Sequence, residues 1–189
     1  MKRIYRKIEN LASNQSYVLI IIFTCISAFV LTKGLSSANE HYALSNYPPS
    51  LFPGQLAFSP EKVKGWYQFL IENNTLDVYI KTQYIDFIFI FGLMATIFFT
   101  QLLIAKLNPK TSKWYTFAIG MCFWGPLLAT ADIWENIVTL TMLNNPTNFS
   151  PWLAYLASSF TVWKLSWAIT GCSLVIIQFI SLLVRKIKS

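Results

Sequence analysis

Four long apolar stretches dominate the sequence and leave the chain few possible folds. They cover about residues 16–36, 82–106, 114–142 and 152–184, and each can cross the roughly 30 Å hydrocarbon core of a bilayer as a helix. Inside lipid, backbone hydrogen bonds are satisfied only by helices or by closed barrels. We therefore predict an all-α, polytopic membrane protein whose single domain, residues 1–189, is a four-transmembrane-helix bundle.

The composition agrees with this class. Hydrophobic residues make up 54% of the chain and charged residues only 12%, whereas soluble domains are about a quarter charged. The net charge of +7 is explained by basic residues that flank the apolar stretches, so it does not favour nucleic-acid binding. We expect the lipid bilayer to be the main partner, and a membrane-protein partner stays open.

Basic residues mark one end of the predicted bundle. The N-terminal flank, the turn after the second stretch and the C-terminal tail hold ten of the 15 Lys and Arg residues but only Glu9 of the eight acids. Because Lys and Arg accumulate on the cytoplasmic side, we expect a multi-pass protein of the inner (plasma) membrane with both termini cytoplasmic. Residues 37–80 and 143–151 are then outside.

The first apolar stretch has two interpretations. Its core is short, and Ser36-Ser37-Ala38 has the small-x-small pattern of a signal-peptidase site, so a cleaved signal peptide is one of them. The other is a retained first helix, because the Lys33 side chain can extend to the interface. The remaining spans keep their orientation in either case.

A short helix is predicted in the long outer segment. Three prolines within residues 37–58 predict an extended loop there. Ser59 then fits a helix N-cap and Pro60 the first helical position, and apolar residues recur at helical spacing over about residues 60–72. We predict an amphipathic helix, either on the membrane surface with Trp66 among the headgroups or as a lid on the bundle mouth.

Ionisable residues inside the apolar stretches indicate a polar layer. Asp132, Glu135 and Asn136 share one face of a helix, and Asp86 and Lys164 are the other ionisable residues deep in such stretches. A charge at the bilayer centre costs at least roughly 2.5–3.5 kcal/mol, so these side chains should face the bundle interior and find partners. Asp86, Asp132 and Lys164 each lie about 30 Å from the inner boundary, at 1.5 Å per residue, and Glu135 lies one turn further out, which places the layer near the outer leaflet.

Charge balance and a predicted kink favour a pocket at this layer. Three carboxyls meet only Lys164, so the deficit must be met by a proton, water, a cation or a ligand. Pro126 removes a backbone hydrogen bond in the third stretch and predicts a kink. The structural alternative is a polar clasp, in which Lys164 pairs with Asp132 or Asp86 and amide or hydroxyl groups bridge the helices.

Other chemistry is sparse in this sequence. Cys25, Cys122 and Cys172 lie in the apolar stretches without paired spacing, and His41 is the only histidine. Phosphate-binding loops, nucleophile elbows and metalloprotease motifs are absent from the sequence. We therefore predict no metal site and no cofactor, and we assign no catalytic residue.

Three motifs resemble those of a known family. They are Ser-Pro-Glu-Lys-Val at 59–63, Ala-Asp-Ile-Trp-Glu-Asn at 131–136 and the segment 156–164 that ends in Thr-Val-Trp-Lys. From about Leu35 onward, the chain resembles an uncharacterised family of small bacterial four-helix membrane proteins. The family's marks are an Asp, an Asp-x-x-Glu-Asn and a Thr-x-x-Lys. The resemblance therefore implies the polar cluster Asp86, Asp132, Glu135, Asn136, Thr161 and Lys164.

The resemblance implies an architecture but no activity. The chain departs from the family pattern at Leu56-Ala57-Phe58, where a Gly-aromatic turn is expected before the lid. A more distant likeness is to the emopamil-binding (EXPERA-type) fold, a four-helix bundle that also buries acids.

Three function classes stay open. The favoured one is a binding module whose lipid-facing pocket holds a cation, a proton or the amine of a lipid or small amphipathic molecule. The second is an accessory or assembly subunit in which the polar layer is purely structural. The third is a membrane-embedded, isomerase-like enzyme that uses a carboxyl as acid or base. The first and third require a pocket, whereas the second predicts a filled bundle.

Overall fold

The computed structural model describes residues 2–188, which are helical apart from short turns and contain no strand. Four segments are long and apolar enough to cross a membrane, namely α2, α5, the α6–α7 pair and α8. The all-α bundle with four spans is therefore confirmed. The helices are α1 Lys2–Asn14, α2 Tyr17–Leu44, α3 Leu51–Gln55, α4 Pro60–Glu72, α5 Leu76–Lys106, α6 Lys113–Met121, α7 Trp124–Leu143 and α8 Trp152–Lys188.

The first spanning helix is longer than predicted. It begins after Ser16, whose side chain accepts a hydrogen bond from the Leu19 backbone N–H, and it continues to Leu44. The prediction of an extended loop over residues 37–58 is therefore wrong for its first part, and the short α3 occupies much of the rest. No proline interrupts the chain before Pro48, and the helix ends just before Asn46, where φ is 53°.

Two glycines bring α2 and α5 close together. A Cβ atom built on Gly34 would lie 2.6 Å from the Phe89 backbone nitrogen, and one built on Gly92 would lie 2.5 Å from the Leu31 nitrogen. Small residues at such crossings let membrane helices pack backbone to backbone. The segment proposed as a signal-peptidase site is thus part of a continuous helix that packs on α5.

The third span is broken where the sequence predicts a kink. Helix α6 ends at Met121 and α7 begins at Trp124, two residues before Pro126. Pro126 has no N–H to donate to the carbonyl four residues earlier. Just before it, the chain passes through a turn in which Phe123 N–H bonds to the Gly120 carbonyl. The predicted kink is confirmed as a break between two helices.

The predicted amphipathic helix is α4, with the predicted bounds and caps. The Ser59 hydroxyl accepts a hydrogen bond from the Lys62 N–H, and Pro60 occupies the first turn. Tyr67 and Leu70 are 1% and 0% exposed, because they pack against α5 and α8. Helix α4 is therefore a lid on the bundle, and we call the end that carries it the lid end.

The opposite end, which we call the terminal end, carries a helix that the sequence analysis treated only as a basic flank. Helix α1 buries Ile8 and Ala12 against α5 and α6. Lys106 fixes the end of α1, because its Nζ atom lies 3.2 and 3.4 Å from the backbone carbonyls of Ala12 and Ser13. A lysine beside the last carbonyls of a helix also opposes the negative end of its dipole.

Candidate functional site

The residues of the predicted polar layer come from three helices and meet inside the bundle. Asp86 lies on α5, and Lys164 and Thr161 lie on α8. Asp132, Glu135 and Asn136 lie on one face of α7 and are 2–3% exposed. The layer is in the lid-end half of the bundle, because Asp86 is ten residues from the first residue of α5 and 20 from its last.

Lys164 joins α8 to α7 through two acids. Its Nζ atom donates a hydrogen bond to Asp132 Oδ1 at 2.8 Å and lies 2.7 Å from Glu135 Oε2. The second contact is an ion pair without hydrogen-bonding geometry, since Oε2 has no hydrogen-bond donor of suitable angle. The expected contact between Lys164 and Asp132 is thus present. The second acid that Lys164 contacts is Glu135, whereas the sequence predicted Asp86 as the alternative partner.

Asp86 pairs with an amide rather than with a cation. Asn136 Nδ2 donates a hydrogen bond to Asp86 Oδ2 at 2.7 Å and so joins α7 to α5. The side chains that the structure describes form no ion pair other than the two of Lys164. The half-buried Asp86 carboxylate is therefore without a basic partner within 4 Å.

Thr161 belongs to the same layer, but its hydrogen bonds go to backbone carbonyls rather than to Lys164. Its hydroxyl oxygen lies 3.4 Å from the Gln55 carbonyl and 3.3 Å from the Ala157 carbonyl, to which the hydroxyl can donate. The first contact joins α8 to the short helix α3. Thr161 is 0% exposed, so this residue helps to seal the layer on the lid side.

A cavity of about 290 Å³, which we call the central cavity, lies between α2, α5, α7 and α8. Asp86, Asp132, Asn136 and Lys164 form its polar wall. Much of the remaining wall is apolar, with leucine, alanine and phenylalanine side chains from all four helices. The bundle is therefore not filled at the polar layer. The central cavity has a charged wall on one side and apolar walls elsewhere.

A second, smaller cavity of about 50 Å³ lies under the lid, and we call it the lid cavity. Four tyrosines from α2, α4, α5 and the connecting loop line it, and Tyr47 stacks on Tyr79 with ring centroids 4.4 Å apart. Glu135 and Thr161 line its other side, so the Lys164 ion pair lies between the two cavities. This volume is large enough for one or two water molecules among polar groups.

Three residues that line both cavities were not predicted from the sequence. Tyr42, Gln55 and Gln83 line both of them. Gln55 and Tyr42 lie in the region predicted as a loop, so no helical pattern pointed to them. Gln83 precedes Asp86 by three residues on α5, and this i, i+3 spacing is a signal that could have found it.

A pair of buried amides forms another polar feature that the sequence analysis did not predict. Gln101 on α5 and Gln178 on α8 are 0% and 1% exposed, and neither amide has a hydrogen-bond partner among the described residues. They follow Asp86 and Lys164 by 15 and 14 residues, or about 21–23 Å along each helix. The two amides are thus at similar depths, nearer the terminal end.

The donor set of the polar layer does not suit a transition metal. Within residues 2–188, no group of three or more His, Cys, Asp or Glu side chains is arranged to hold a metal ion. The layer instead offers carboxylate and amide oxygens, which can accept hydrogen bonds from an organic ammonium group, take up a proton or coordinate a hard cation, and one ammonium group that is already paired with two acids.

Comparison with known proteins adds no functional assignment, so any assignment rests on the geometry of the site. No family model, curated protein or solved structure matches the chain.

Proposed function

We propose that this protein is a membrane binding module that holds the ammonium group of an amphipathic small molecule or lipid in the central cavity. One observation carries the proposal: the Asp86 carboxylate lies on the cavity wall with Asn136 as its hydrogen-bond partner, and none of the basic side chains that the structure describes lies within 4 Å of it. Lys164 is already engaged by Asp132 and Glu135. An ammonium ion at Asp86 would supply one of the two positive charges that the three carboxylates of the layer lack.

The apolar sides of the cavity support an amphipathic ligand rather than a bare inorganic cation. Leu35, Phe89, Leu128 and Leu165 line the cavity beside the carboxylate. Binding pockets for small organic ligands combine mostly apolar walls with a few convergent polar groups in this way. The ammonium would bind Asp86 while the hydrocarbon part contacts these side chains.

The same observations weigh against a purely structural role for the layer. An accessory subunit with a structural clasp predicts a filled bundle, whereas the central cavity has a volume of about 290 Å³. An isomerase-like enzyme would use the same cavity, and Asp86 would be its acid or base. Binding is the simpler proposal because it requires only the charge and the shape of the cavity.

A set of probes with one chain length tests the proposal. Octylamine, octanol and octanoate should be titrated into the protein in nanodiscs, with empty nanodiscs as the background. We expect octylamine to bind and Asp86→Asn to weaken it at least about tenfold, because a hydrogen bond to a charged group is lost. Asp77→Asn is the matched control, since Asp77 is an exposed acid on the same helix. Equal binding of octanol, or unchanged binding to Asp86→Asn, would overturn the proposal.

We also propose that the lid end faces the periplasm and that the protein resides in the inner (plasma) membrane. The terminal end carries ten Lys and Arg residues with one acid, whereas the lid end carries four lysines with four acids. This asymmetry supports cytoplasmic termini. In a background without native cysteines, an impermeant thiol reagent added outside should label Asn74→Cys but not Ser112→Cys. The reverse pattern would invert the topology.

The resemblance to the small bacterial four-helix family is part of this proposal. Its support is that the motif residues, although far apart in the sequence, lie in one layer around the two cavities. Under this proposal, the polar residues that the chain shares with the family form a ligand-binding site.

A further inference from the structure

A groove at the terminal end lies between α1 and the break that separates α6 from α7. Its volume is about 550 Å³, and it is open along one side. Helix α1 contributes Lys2, Tyr5, Arg6 and Glu9, and the opposite wall consists of Gly120 and Phe123. We infer that this groove binds the headgroup of an anionic phospholipid.

The charge of the groove selects an anion. Lys2 and Arg6 are four residues apart and therefore lie on the same face of α1. Glu9 is the one acid that lines the groove, which leaves an excess of one positive charge. Arg3 and Lys7 are also on α1 but do not line the groove. The helix therefore carries two basic residues that line the groove and two that do not.

The shape of the groove selects a lipid rather than a free phosphate. Phe123 gives an apolar wall, and a Cβ atom built on Gly120 would meet no atom within 4 Å, so there is open space beside the cations. Helix α1 exposes Ile4 and Leu11 at 54% and 36% while it buries Ile8 against the bundle. A helix with a basic and an apolar face of this kind is typical of the membrane interface, where its cations can reach lipid headgroups.

A charge-matched pair of double variants tests the site. Native mass spectrometry of the detergent-solubilised protein should count bound phosphatidylglycerol and phosphatidylcholine added in equal amounts. We expect the wild type to prefer phosphatidylglycerol and Lys2→Gln with Arg6→Gln to lose affinity about fivefold per charge. Arg3→Gln with Lys7→Gln removes the same charge and should change the affinity less than twofold. Equal losses in the two variants, or no preference in the wild type, would overturn the inference.

A glycine substitution tests the groove without any change in charge. Gly120→Leu places a side chain in open space, so it should fold normally and block the headgroup. Gly65→Leu on the lid is the matched control, because a Cβ built there also meets nothing within 4 Å. Phosphatidylglycerol preference should fall at least about fivefold in Gly120→Leu and persist in Gly65→Leu. Unchanged preference in Gly120→Leu, or competition by inorganic phosphate at equal concentration, would contradict a lipid site in this groove.

Discussion

Removal of the Lys164 ammonium should destabilise the bundle more than loss of any other charge. The Lys164, Asp132 and Glu135 side chains are 15%, 3% and 4% exposed, and Nζ lies 2.8 and 2.7 Å from the two acids. Loss of one member of a buried ion pair strands the other charge and costs about 3–5 kcal/mol. Because two carboxylates lose the same partner here, we expect Lys164→Met to lower the free energy of unfolding by an amount near the upper end of that range.

Neutralising the acids should then restore stability. Lys164→Met with Asp132→Asn should be more stable than Lys164→Met alone, and the addition of Glu135→Gln should restore most of the loss, because no stranded carboxylate remains. Unfolding by SDS in mixed micelles gives the free energies, and a double-mutant cycle for each acid should give a coupling of about 0.5–3 kcal/mol. Lys81→Met, on the exposed side of α5, is the control. Additive losses in both cycles, or a Lys164→Met cost near the about 1 kcal/mol of an average substitution, would refute the reasoning.

Three further predictions use the same unfolding assay. Gly34→Ile should severely destabilise the protein or prevent folding, because its Cβ would lie 2.6 Å from the Phe89 backbone nitrogen. Gly65→Ala should be neutral or stabilising. Equal stability of the two variants would contradict the close helix crossing. Ser59→Ala should cost about 1 kcal/mol through loss of the lid N-cap and should speed proteolysis of the lid, so unchanged proteolysis would contradict that role. Gln101→Leu should stabilise the protein by about 1–3 kcal/mol, because the buried Gln101 amide has no hydrogen-bond partner among the described residues. A loss of stability would show that the amide does have a hydrogen-bond partner.

Local signals explain why parts of this fold could be predicted from sequence. The bounds of α4 follow from Ser59, Pro60 and the apolar spacing after them, all within one segment. The break before Pro126 follows from a single missing N–H. The position of the polar layer along the bundle also followed from counting, because each spanning helix rises by a constant 1.5 Å per residue from a basic boundary.

The missed features depend on contacts between distant segments. Helix α2 continues past residue 36 to Leu44, and it crosses α5 closely at Gly34 and Gly92; its own apolar pattern reports neither feature. Helix α1 is held on the bundle by the burial of Ile8 and Ala12 and by Lys106, which lies more than 90 residues away and binds its last carbonyls. Such pairings are set by tertiary structure, which overrides local composition.

The partners inside the polar layer show the same limit. Spacing on α7 places Asp132, Glu135 and Asn136 on one face, but the rotation of α7 against its neighbours decides which partner each side chain meets. Lys164 meets both acids, and Asn136 turns to Asp86. The unpaired state of Asp86, on which the proposed function depends, was therefore beyond prediction from spacing alone.

The most direct test of the ammonium site is anomalous diffraction from crystals grown with an alkylammonium ligand that carries bromine at the far end of its chain. We predict a bromine peak among the apolar side chains of the central cavity and the ligand nitrogen about 3 Å from an Asp86 carboxylate oxygen. Crystals of Asp86→Asn should lose the peak. A bromine peak only on the outer surface of the bundle, or an unchanged peak in Asp86→Asn, would contradict an ammonium site at Asp86.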